Sequence, residues 1–189
     1  MTLHDIKRSR TPEMNIFFLS RKTRQCARWH CDKHVVKMIL ESTQLLYTTQ
    51  HERGGSAAVS ESAPICQSTG RRGYKACHKN HPSAIWGRES LAHYSWLIWL
   101  AKDLVAEHSF RFSPKQVHAS LVHLEWLEAN PPPELLTKTI WVRDPPPAMP
   151  EEYRCGDSIA SYRAFYNGSK RERGLLKYTR RHLPHIFRG

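Results

Sequence analysis

From Lys22 to Gln50 the chain reads "KTRQCARWHCDKHVVKMILESTQLLYTTQ", without a glycine or a proline. Val35, Val36, Ile39, Leu40, Leu45 and Leu46 recur there at helical spacing. The stretch predicts one long helix, or two broken near His30. Turning about 100° per residue puts His30, His34, Lys37, Glu41, Gln44 and Thr48 on one stripe about 80° wide. Cys31, Val35, Val36, Met38, Ile39, Leu40, Leu45 and Leu46 fill most of the remaining girth. A helix so widely apolar belongs deep in the fold, and a narrow seam of titratable groups on it suits a cleft. Asp32 falls about 160° from the seam by the same arithmetic and reads as a structural partner.

The rest of the chain also predicts a mostly α protein. "MNIFFLS" at 14–20 reads as the start of the fold, a short strand or an apolar plug, after a polar tail over 1–13. Residues 52–73 are rich in small residues and glycine, and read as a long functional loop, a lid or a disordered segment. In "HKNHPSAIWGRESLAHYSWLIWLAKDLVAEH", Asn80 or His81 can cap a helix with Pro82 in its first turn. Trp86, Tyr94, Trp96, Leu97 and Trp99 make it apolar, and Trp86 reads as core rather than as a stacking platform. A further helix is expected over 114–129, with Val117, Leu121, Leu124 and Leu127 as its stripe. "NPPPE" and "DPPPAMPEE" mark an extended connector over 131–151, with Ile140, Trp141 and Met149 as anchors. Asp157 can cap a helix carrying Ile159, Tyr162, Phe165 and Tyr166, and the basic end should form a short helix stopped before Pro184. The expected fold is one helical domain over 14–189 with a long loop, a proline-rich connector and a basic C-terminal segment.

The 29 Lys and Arg against 17 Asp and Glu give a net charge of +12. Such a balance favours a polyanionic partner, nucleic acid first. No apolar run approaches the ~20 residues of a membrane span, and the start lacks the apolar core of a secretory signal. The five cysteines include no C-x-x-C pair and read as reduced thiols of an intracellular protein.

Two groups of residues carry the candidate chemistry. The catalytic set is Glu41, His34, His30, Lys37, His81 and Arg88. Glu41 is the base or electrostatic stabiliser, the histidines are proton carriers or phosphate contacts, and Lys37 is an anion clamp or amine nucleophile. Arg88 should pair with Glu41 or Glu89. His30 and His34, one turn apart, also have the spacing of a zinc pair, for which a third ligand would have to come from His78, His81 or a cysteine. The nucleic-acid-binding set is Arg71, Arg72, Lys75, Lys79, Asn80, Lys170, Arg171, Arg173, Lys177, Arg180 and Arg181. Lys75, His78, Lys79 and His81 surround an expected helix start, where free N–H groups suit phosphate. The C-terminal cations alternate with Tyr178 and His182 in the manner of a backbone-neutralising surface.

The stretches "MNIFFLS", "HCDKHVVKMILESTQLLYT", "HKNHPSAIWGRESLAHYSWL" and "PPPAMPEEY…SYRAFYNGSKR", in that order, resemble a family of small proteins encoded by large DNA viruses and bacteriophages. That resemblance brings no activity with it. The layout of Glu41, "GYK" at 73–75 and "HPS" at 81–83 is also similar to the phage-type pyrimidine-dimer DNA glycosylases, small basic all-α enzymes. Those attack with the α-amine of a threonine exposed by removal of the first methionine. Here Thr2 would be that residue, but it lies on the polar tail, and a start at Met14 would expose Asn15 instead. The resemblance therefore leaves the amine open, with Lys37 as a substitute. The expected activity is that of a glycosylase-like or base-modifying enzyme on double-stranded DNA, without a cofactor. The alternatives are a non-catalytic DNA-binding or genome-packaging protein and a metal-dependent hydrolase. The oligomeric state is left open.

Overall fold

The computed structural model describes residues 15–112, 115 and 117–188; the expected tail over 1–13 and Thr2 lie outside them. The fold is mostly α. Helices α1 (Thr23–Trp29), α2 (Asp32–Glu52), α3 (Ser56–Ser62), α4 (Pro82–Gly87), α5 (Leu91–Arg111), α6 (Ser120–Ala129) and α7 (Ser158–Phe165) enclose one core. A two-residue hairpin, β1 (Ile65–Cys66) against β2 (Arg71–Arg72), pairs Ile65 with Arg72 and Cys66 with Arg71. No helix among the described residues is long and apolar enough to cross a membrane.

The long glycine-free stretch forms two helices that part at His30–Cys31, the second of its two expected forms. A buried arginine from α5 explains the break. Arg111 donates to the carbonyls of Arg28 and His30, each at 3.0 Å, so it takes over the last carbonyls of α1. It also binds Asp32 at 2.9 Å, in the first turn of α2, and Glu107 at 2.7 Å. Asp32 is thus the structural partner its wheel position predicts. It also accepts the Thr179 amide at 3.0 Å and the Thr179 hydroxyl at 2.8 Å.

α2 and α5 are the long central pair. α5 also packs on α1, α4 and α6, and α2 on α3, α4 and α6. Gln50 of α2 locks three helices together, since its amide donates to Tyr94 Oη at 2.9 Å and to the Asn130 carbonyl. Residues 15–20 form the apolar plug and not a strand; Ile16, Phe17, Phe18 and Leu19 are buried among the helices.

Several expected elements are corrected. Residues 52–73 are not a structureless loop: the end of α2, α3 and the hairpin occupy them. The helix over 114–129 begins only at Ser120, and Val117 is exposed. The expected helix from Pro82 is split, because Gly87 ends α4 and Ser90 caps α5 by accepting the His93 amide at 3.2 Å. The connector is anchored by Met149 and partly by Trp141, whereas Ile140 is exposed. His93 holds that connector: its Nε2 accepts the Val142 amide at 3.1 Å while its Nδ1 contacts the Trp86 carbonyl at 2.9 Å. Trp86 is fully buried, as core. Asp157 caps α7 as expected. Beyond α7 the chain makes a π-helical turn over Tyr166–Lys170, and its last helical turn, His185–Phe187, follows Pro184 rather than preceding it.

Arg111→Ala should leave Glu107 buried and the end of α1 unsatisfied, costing about 3–5 kcal/mol. Urea unfolding followed by far-UV circular dichroism will show it as a lower midpoint. Arg111→Lys should fail to rescue it, because an ammonium lacks the fork that spans these acceptors.

Candidate functional site

The seam on α2 lies at the border between core and solvent. Val36 and Leu40, expected in the core, are 50 % and 41 % exposed. With Lys33 they form the outward face of α2, which turns the seam inward at one edge. His34 is consequently buried and stacks on Phe17, with ring centroids 3.9 Å apart. Its Nδ1 lies 2.5 Å from Tyr166 Oη. Phe17 holds a left-handed backbone (φ 51°), a costly conformation for a bulky residue. The Asn15 carboxamide secures it by accepting the amides of Ile16 at 2.8 Å and Phe17 at 3.2 Å.

His30 caps α1 and does not belong to α2, so the wheel arithmetic does not apply to it. It is fully buried, with Nδ1 2.7 Å from the Cys26 carbonyl. Burial pushes its pKa down to about 4, against the pull of that carbonyl. Burial, then the neighbouring His30 and Lys170, also holds His34 well below the ordinary range. Both rings are therefore neutral structural groups at neutral pH. They are not proton carriers in contact with solvent. His81 is likewise structural. Its Nδ1 accepts the Ser83 amide at 3.2 Å, which makes it, and not Asn80, the cap of α4. That bond and the six-residue length of α4 leave no phosphate site at this helix start. Among the described residues no group of three or more His, Cys, Asp or Glu side chains is placed to hold a metal ion.

Lys37 and Glu41 occupy the accessible part of the seam. Glu41 Oε1 pairs with Lys37 Nζ at 3.1 Å, while Oε2 is buried and makes no hydrogen bond to a described residue. Burial raises the pKa of this carboxyl, opposed first by Lys37 and then by the Asn15 amide and His78. Glu41 is one turn before Gln44, and Gln44 lines a cavity of about 850 Å³. The end of α2, α3, the hairpin and residues 73–77 wall this groove, with Lys79 at its rim. Arg71, Arg72, Lys75 and Lys79 face it, against a single carboxylate, Glu52.

Two of those cations are already engaged. Lys79 pairs with Glu52 at 2.7 Å, and Arg72 donates to the Ala63 carbonyl at 2.8 Å. Arg88 sits behind this wall. It donates to the Lys79 carbonyl at 2.7 Å and lies 3.9 Å from Glu52, so its expected pairing with Glu41 or Glu89 is not formed; Glu89 pairs with Arg143. Gly73 seats the wall on α2. It has φ 60°, and a Cβ there would lie 2.5 Å from the Tyr47 ring and 2.8 Å from Val59. His51, Glu52 and Tyr74 belong to this groove and were not among the expected site residues. The wheel arithmetic does place Glu52 on the seam, at about 40°; only the expected end of the helix near Gln50 left it out.

The C-terminal cations divide. Lys170 is 2 % exposed and lies 4.2 Å over the Phe165 ring, so it is not part of the basic surface. Arg181 grips Glu107 through two hydrogen bonds, at 2.8 and 2.9 Å, and Arg171 donates to the Phe187 carbonyl. Burial pushes Glu107 up, but the hydrogen bonds from Arg181 and Arg111 outweigh it and hold the carboxyl below its ordinary range. Arg173, Lys177, Arg180 and Asn80 are exposed, although Arg180 also donates to the Phe110 carbonyl at 3.1 Å.

Two measurements check this geometry. Between pH 6.5 and 4 the unfolded chain protonates His30 and the folded chain does not. The unfolded state then binds more protons, so stability must fall as pH falls, by roughly 3 kcal/mol once His30 is charged. His30→Gln should flatten that slope in urea titrations run across this range. Gly73→Ala should loosen the hairpin from α2, and amide hydrogen exchange at residues 65–73 should rise well above that of α5.

Comparison with protein-family models, with curated proteins and with solved structures finds no match for this chain.

Proposed function

We propose that the protein acts on DNA, as a base-excising or base-modifying enzyme whose chemistry is carried by Glu41. The observation that supports this most is the state of that carboxylate. It is half-buried, its affinity for a proton is raised although Lys37 and the Asn15 amide oppose this, and its Oε2 makes no hydrogen bond to a described residue. Buried carboxylate oxygens in folded proteins usually find a partner. An acid–base group needs one oxygen left for the reacting proton and a pKa moved toward neutrality. The groove lined by Gln44, one turn further along α2, carries four cations and suits a phosphate-bearing chain.

In hydrolysis of an N-glycosidic bond, positive charge builds on the sugar as the base leaves with the bonding pair. Glu41 would steady that charge and take a proton from the attacking water, whose oxygen bonds to the anomeric carbon. The departing base takes up a proton in turn. Lys37 would hold the Glu41 carboxylate in place, and its amine is the alternative nucleophile. His30 and His34 would fix the start of α2 without entering the reaction. The layout of Glu41, "GYK" at 73–75 and "HPS" at 81–83, similar to that of the pyrimidine-dimer glycosylases, agrees with such an activity.

Glu41→Gln keeps the shape of the side chain and removes the base. It should abolish strand or base release from damaged or modified duplex DNA, read on denaturing gels, and leave DNA affinity within about twofold. Equal turnover by wild type and variant would remove Glu41 from the reaction. Salt-sensitive binding with no product from either would point to a non-catalytic DNA-binding protein.

A further inference from the structure

The groove lined by Gln44, one turn after Glu41 on α2, has a volume of about 850 Å³, within the range of about 300–1,000 Å³ typical of small-molecule sites and suited to a single nucleotide. We infer that it holds one unpaired nucleotide at a time, with Arg71 and Lys75 on the phosphate and Gln44 and Tyr74 on the base. The inference rests on the nucleic-acid reading above and narrows its substrate to single-stranded or locally unpaired DNA.

Three features carry it. First, the groove has more positive charge than the fold uses. Lys79 is neutralised by Glu52 and Arg72 is bound to a carbonyl, whereas Arg71 and Lys75 make no ion pair with any described residue. Both are exposed at the rim. A guanidinium and an ammonium left unpaired on one rim match a phosphate. Second, Gln44 is half-buried in the wall, and its carboxamide makes no hydrogen bond to a described residue. A carboxamide offers a donor and an acceptor side by side, the pattern that reads a base edge. Third, the wall is partly apolar and aromatic, with Tyr74, Val59 and Cys77. Tyr74 is held in place by Tyr47 and His123, at 5.5 and 5.2 Å between ring centroids. Burial raises its hydroxyl pKa to about 12, so the ring stays neutral beside an anionic ligand. A fixed neutral aromatic ring is a stacking surface for a base.

The experiment compares four probes by fluorescence anisotropy or calorimetry: a single-stranded DNA dodecamer, the fully paired dodecamer, a deoxynucleoside 5′-monophosphate and inorganic phosphate. The single strand should bind at least tenfold more tightly than the duplex. The monophosphate should compete where equimolar phosphate does not. Arg71→Ala with Lys75→Ala should weaken the single strand tenfold or more, and Gln44→Ala should weaken it while leaving phosphate unaffected. Arg173→Ala with Lys177→Ala, on exposed cations outside the groove, serves as the control and should cost less. All five groups substituted in these binding variants are at least partly exposed, and circular dichroism verifies that each variant is folded. Duplex bound as tightly as single strand, phosphate competing as well as the nucleotide, or a groove double variant no weaker than the control would each overturn the assignment. Glu41→Gln separates this result from the catalytic reading. If that variant and the wild type both bind the single strand through Arg71 and Lys75 but neither yields product, the nucleotide site stands and the enzyme does not.

Discussion

Arg111 is the residue on which the architecture turns. It is 1 % exposed and bonds to Glu107, Asp32 and the carbonyls of Arg28 and His30. A buried guanidinium is tolerated only when its donors are satisfied and its charge is matched. Here both conditions are met by groups from three parts of the chain: the end of α1, the start of α2 and the last two turns of α5. Arg181 brings in a fourth part through its two bonds to Glu107. The network sets where α1 stops, and so the direction in which α2 sets out.

The site inherits its character from that decision. Because α2 starts at Asp32, it presents Lys33, Val36 and Leu40 to solvent and turns His34 into the core. The one seam is thereby divided by depth. At its start His34 packs on the strained Phe17 and stays neutral. In the middle Glu41 is half-buried with one oxygen unmatched. At the end Gln44, His51 and Glu52 line the groove closed by α3 and the hairpin. Residues of similar chemistry on one helix thus serve packing at one end and remain available for recognition at the other.

How much of this was legible in the sequence varied with the range of the interactions involved. Local signals read well: the Pro82 helix start and the Asp157 cap follow from backbone chemistry within a few residues, whereas Arg111, from the far end of α5, decided between one long helix and a break near His30. Residues 52–73 read poorly because their order comes from contacts at a distance. Gly73 lies against Tyr47, and Arg72 reaches the Ala63 carbonyl. The division between Gly87 and Ser90 is a local signal too, since serine accepting an amide three residues on is an ordinary cap. The partners of Arg88 and Glu89 were not legible, because Glu52 and Arg143 come from segments whose approach depends on tertiary packing.

Alone, the sequence determined that the chain is mostly helical, strongly basic and built around one long α2 with a thin polar seam. Periodicity and composition are properties of neighbours along the chain. The tertiary structure alone decided which seam residues meet solvent, which cations are spent on carbonyls and carboxylates, and which remain on a rim. Lys170 and Lys75 look alike in sequence, yet one lies buried over Phe165 and the other is exposed at the groove with no ion pair to a described residue. Burial and pairing set the protonation and availability of a charge, and both arise from residues far apart in the chain.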